Sequence, residues 1–130
     1  MIIVDDRLSL DALAGRLGGG EPVATTWGFQ YRLLRALSDG TRWGTLSSAA
    51  TDQARRLAAE PPGPRLVVLD PRVVTAEAAA LAARHGLDLL ATELMASAVH
   101  HRAGVRLSEG NVGRHWPAIM AEEGIALQIG

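Results

Sequence analysis

Two short apolar runs constrain this chain more than anything else in it. Met1-Ile2-Ile3-Val4-Asp5 and Arg65-Leu66-Val67-Val68-Leu69-Asp70 are rich in β-favouring residues and keep every polar residue to their ends. An unbroken run of this kind suits a strand covered on both faces. Apolar residues at helical spacing follow the first run, as with Leu10, Leu13, Ala14 and Leu17. Strands alternating with helices imply an α/β fold, with a central, mostly parallel sheet inside three α/β/α layers.

Punctuation residues divide the rest of the chain. Ser9 is the expected cap of a helix over 10–17, ended by Gly18-Gly19-Gly20. An extended piece over 22–26 precedes a helix from Trp27 to about Leu37, capped by Thr25 or Thr26. An alanine-rich helix is expected over 47–60, broken by Pro61-Pro62-Gly63-Pro64. Thr75 is the expected cap of a helix running to His85 that Gly86 stops, and Asp88 caps the next, which runs to about Ala103 with a stop at Gly104. Strands over 105–107 and 125–129 flank a short helix over 117–123. No repeat or long linker interrupts the 130 residues, which fit a single domain over 1–130.

Composition removes several functions. Net charge is −1, so no general attraction to nucleic acid or membrane is expected. All 13 basic residues are arginine, which weakens any single arginine as a sign of bidentate recognition. Cysteine is absent, which excludes disulfides, thiolate metal sites and cysteine nucleophiles. The start MIIVDD is too short and too acidic for a signal peptide, and no apolar run reaches membrane-spanning length. The expectation is a cytoplasmic protein with no membrane partner.

The chemistry-bearing residues stand at the ends of these elements. Asp5 closes the first strand. Glu93 lies early in a helix that leads through Gly104 to Val105-Arg106-Leu107 and then Asn111. Oxygen ligands in such places suggest a site for a hard cation.

The stretch from Glu93 to Asn111 resembles PIN domains, of the small ribonuclease type found as toxins in VapBC toxin–antitoxin modules. In that family an acidic residue opens the helix, a glycine ends it, and a strand leads to a second acidic residue or Asn. Glu93, Gly104 and Asn111 match those positions, Asp5 matches the family's first aspartate, and Val112-Gly113-Arg114-His115-Trp116-Pro117 resembles its following loop. Thr25-Thr26 with Leu33-Leu34-Arg35-Ala36-Leu37 resembles the second helix. The resemblance spans almost the whole chain. It implies a PIN-like domain that hydrolyses RNA with Mg²⁺ or Mn²⁺ held by Asp5, Glu93 and Asn111. It also implies a cognate antitoxin as partner and a homodimer, while Arg32 and Arg114 are the candidate substrate contacts of this chain itself.

Two departures qualify what it implies. The family has aspartate where this chain has Glu93, and glutamate where it has Arg32. Like charges about 4 Å apart repel by roughly 4 kcal/mol at an effective dielectric near 20, and a divalent ion doubles that. Arg32 therefore has two expected placements: paired with Asp5 or Glu93 in the metal's position, or turned away and bound to phosphate while one metal remains. The first makes the chain an inactive PIN-like module that binds a protein or RNA partner.

Plainer roles stand beside these. Asp5 is equally suited to cap a helix, Asp70 before Pro71 to make a turn, and Asn111 beside Gly110 to turn the chain. His100 and His101 point about 100° apart on a helix and cannot chelate together. Trp27, Trp43 and Trp116 suit packing better than base stacking. Asp5-Asp6 after the first strand also resembles the acidic pair of flavodoxin- or receiver-like domains, but those end a later strand in lysine and this chain has none.

Overall fold

The computed structural model describes residues 1–17, 19–42, 49, 52, 55, 56 and 66–130. Gly18, Trp43, Arg65, the break at 61–64 and all but those four positions of the expected helix over 47–60 lie outside the described residues.

The elements run β1 (Ile2–Val4), α1 (Asp6–Leu13), β2 (Val23–Thr25), α2 (Trp27–Arg42), β3 (Val67–Val68), a 3₁₀ turn (Pro71–Val74), α3 (Thr75–His85), α4 (Leu89–His101), β4 (Gly104–Leu107), a 3₁₀ turn (Glu109–Asn111), α5 (Trp116–Glu122) and β5 (Leu127–Ile129). The five strands form one sheet in the order β3-β2-β1-β4-β5, and every pairing is parallel. Helices cover both faces, as unbroken apolar strands require. Alternation along β1 divides the core. Ile3 packs with Phe29, Leu94, Met95 and Val105 on one face, while Val4 packs with Leu8, Ala12, Leu33 and Leu37 on the other.

α4 is buried without interruption from Ala91 to Ala98. A helix enclosed on all sides has no polar face to spare, so a carboxylate such as Glu93 must find partners inside. No helix among the described residues is long and apolar enough to cross a membrane.

Several boundaries differ from expectation, each for a local reason. α1 starts at Asp6 rather than Leu10, because Asp5 caps it: the Asp5 Oδ1 accepts the Leu8 N–H at 2.9 Å. Ser9, the expected cap, instead donates its hydroxyl to the Asp5 carbonyl at 2.7 Å. α4 ends at His101, and the left-handed residue is Arg102 at φ 51°, not Gly104. The Ala103 N–H closes the helix end onto the Ala98 carbonyl at 2.9 Å. Gly104 simply begins β4. Of the strand expected over 65–70, the described residues 66–70 pair in the sheet at Val67 and Val68, and the Asp70 side chain takes the Arg72 N–H at 3.0 Å to start a 3₁₀ turn.

β1 has β2 on one side and β4 on the other, so the connections leave it in opposite directions. In open parallel sheets the crevice for a ligand forms at the carboxyl ends of such neighbouring strands. The residues that follow β1 and β4, Asp5 and Ser108, meet there.

Candidate functional site

Asp5 is fully buried and holds this edge together. Its Oδ1 caps α1. Its Oδ2 accepts from the Ser108 N–H at 2.7 Å, from the Ser108 hydroxyl, and from the Asn111 Nδ2 at 2.9 Å. Burial alone raises a carboxyl group, but these bonds from Leu8, Ser108 and Asn111 together outweigh it and hold Asp5 below its ordinary range. One carboxylate thus joins β1 and α1 to the segment after β4.

Asn111 extends the network outward. Its Nδ2 reaches Asp5 and the Asp6 Oδ1, each at 2.9 Å. Its Oδ1 accepts from Arg32 at 2.8 Å. The Arg32 Nε bonds the Asp6 Oδ2 at 3.2 Å, and the guanidinium lies 5.5 Å from the centre of the Phe29 ring. Arg32 therefore does enter the site, but its carboxylate is Asp6 rather than Asp5 or Glu93.

The side-chain types fit this arrangement. Between two carboxylates, Asn111 can donate both amide hydrogens and still offer its oxygen to a guanidinium. An aspartate there would present a third negative group, which only a strong cation would tolerate. Arg32 and Asn111 together neutralise the edge from within. A cavity of about 350 Å³ opens beside them, bordered by Asp6, Arg7, Arg32, Ser108 and Asn111.

Glu93 is placed elsewhere. Its Oε1 accepts the Gly28 N–H at 2.9 Å and its Oε2 the Trp27 N–H at 3.2 Å, so it caps the first turn of α2. Gly28 permits this approach: a Cβ there would lie 2.8 Å from the Glu93 Oε1. Burial pushes the Glu93 carboxyl above its usual range, and the bonds from Gly28 and Trp27 only partly offset it. Neither oxygen joins the Asp5 network.

The structure thus brings Asp5, Asn111 and Arg32 together and places Glu93 apart. Arg114 is exposed in the loop before α5 and makes none of the network's contacts. Sequence reasoning passed over Ser108 and left Asp6 without a role. Asp6 had a signal in its adjacency to Asp5. Ser108 had none, since its role depends on β4 lying beside β1. His100 faces Glu77 at 3.2 Å, and Trp116 packs partly buried over Gly113, where a Cβ would overlap the indole.

Among the described residues, no group of three or more His, Asp or Glu side chains converges as metal ligands would. With Arg32 in place the donors do not fit Mg²⁺ or Mn²⁺. The Asp5 oxygens accept four internal hydrogen bonds, Arg32 holds Asp6 and the Asn111 oxygen, and Glu93 caps α2. No protein-family model matches this chain, and no curated protein matches it either.

Proposed function

We propose that the chain is a PIN-like domain in which Arg32 stands where a metal would, leaving a non-catalytic cytoplasmic module that binds a protein or RNA partner at the carboxyl edge of its sheet. One observation carries this: the Arg32 guanidinium bonds both Asp6 and the Asn111 oxygen. A fixed cation that neutralises the carboxylates from within removes the electrostatic demand for a divalent ion.

A calorimetric titration with Mn²⁺ tests it. The native chain should show no stoichiometric heat, and RNA oligonucleotides incubated with it and Mn²⁺ should stay intact. Arg32→Glu removes the guanidinium, adds a carboxylate, and should gain Mn²⁺ affinity. Stoichiometric binding by the native chain that disappears in Asn111→Ala, with Mn²⁺-dependent RNA cleavage, would overturn the proposal.

A second reading is the metal-dependent endoribonuclease, the toxin of a toxin–antitoxin pair with an antitoxin as partner. It is favoured by the meeting of Asp5, Asp6 and Asn111 at the junction of β1 and β4. It requires Arg32 to leave, and the same titration separates the two.

A further inference from the structure

A second recess lies away from the Arg32 edge. It holds about 520 Å³ between α3, the 3₁₀ turn before it, and the first turns of α2 and α4. Val74, Ala78, Ala82 and Leu87 make its walls apolar, and Trp27 and Glu93 line it as well. This volume falls within the range typical of small-molecule sites.

Among the described residues, Glu93 is the one ionisable side chain lining the recess. It is 7% exposed, and its two partners are neutral backbone N–H groups. A buried charge ordinarily has a counter-charge. Among the described residues, no cationic side chain bonds Glu93. Among the described residues, each carboxylate oxygen accepts one bond, which leaves it a further lone pair.

The exposed part of the lining is also unusual. Trp27 is 55% exposed and stacks on Tyr31, itself 51% exposed, at 5.7 Å and 12°. Leu89, which lines the recess with Trp27, is 82% exposed. Exposed aromatic faces next to a buried anion suit a ligand that is apolar in body and positive at one end.

We infer that this recess binds a small organic cation, an alkyl- or arylammonium whose charge sits against Glu93 and whose body lies between Trp27 and α3. The inference is independent of either reading of the Arg32 edge.

The probe is 2-phenylethylammonium, followed by NMR amide and indole shifts, with neutral 2-phenylethanol as its match in shape. Saturable shifts should appear at Trp27, Ala78 and Ala82. The alcohol should bind about tenfold or more weakly, as loss of a charge-assisted hydrogen bond implies. Glu93→Gln should erase the preference for the cation. Ala82→Phe, which fills the recess and leaves Glu93 in place, should abolish binding of both probes in a chain that still gives a dispersed spectrum. Equal binding of cation and alcohol would overturn the inference, leaving only an apolar recess. So would the absence of saturable shifts, or a dimer in sedimentation that Leu89→Asp dissociates, since a second copy would then cover the recess.

Discussion

Asp5 and Glu93 are both carboxylates buried beyond the carboxyl ends of one parallel sheet, and their surroundings drive them in opposite directions. Asp5 is held below the ordinary carboxylate range and Glu93 is pushed above it. Burial acts on both in the same sense, so the number of donors decides. Asp5 receives four hydrogen bonds and Glu93 two. A hydrogen bond to a charged group is worth about 1.5–3 kcal/mol, and burying a carboxylate costs several kcal/mol. The four bonds outweigh burial at Asp5, and the two at Glu93 only partly offset it. Asp5 is a finished structural joint, whereas Glu93 is an anion with unused capacity beside an open recess.

The comparison breaks most sharply at Asp5. Asp5→Ala removes the cap of α1 and strands the Ser108 N–H, with an expected loss of about 3–5 kcal/mol by urea unfolding. The two carboxyls also predict opposite pH behaviour. The Asp5 pKa is lower in the folded chain, so its stabilisation is present above the unfolded value near about 4 and is lost as pH falls through the folded value. The Glu93 pKa is higher in the folded chain, so its contribution is full below about 4 and is lost as pH rises through the folded value. Unfolding curves from pH 3 to pH 8 should therefore lose part of their acid limb in Asp5→Ala, and their decline above about pH 4 should flatten in Glu93→Gln. The same slope in both variants would erase the distinction.

Gly28→Ala sharpens the Glu93 side. The new Cβ would crowd the Glu93 Oε1 and the Leu90 Cδ1, the latter at 3.0 Å. Overpacking costs about 1–3 kcal/mol and alanine's better helix propensity returns about 1 kcal/mol, so a net loss near 1 kcal/mol is expected. A double-mutant cycle with Glu93→Ala should recover most of that loss, and strict additivity would mean that the two do not touch.

The smallest effect belongs to the rim of the Asp5 network. Asp6→Asn breaks a partly exposed pair with Arg32 and should cost less than about 1 kcal/mol in chemical unfolding. A loss as large as that of Asp5→Ala would show that Asp6 is as central as its neighbour.

Much of the fold was legible because local rules and tertiary structure agree. The strand at Ile2–Val4, the Gly86 stop, the Asp88 cap and the strand over 105–107 each follow from residues within one turn of the element they shape. Where two signals competed, local reading failed. Ser9 and Asp5 both suit an N-cap, and the carboxylate directly after the strand won. Gly104 looked like the helix stop because nothing local forces Arg102 into a left-handed conformation.

Local patterning dictates the alternation of strands and helices, and with it a parallel sheet with apolar faces and Asp5 at the end of its first strand. Only the tertiary structure decided what the carboxylates do. Asp5 meets Ser108 and Asn111 across more than 100 residues, because β4 pairs with β1. Arg32 finds Asp6 because α1 and α2 pack on the same face. Glu93 is drawn to the start of α2 because Gly28 leaves room for it. A side chain's type is written in the sequence, but its electrostatic role depends on donors that only folding brings within about 3 Å.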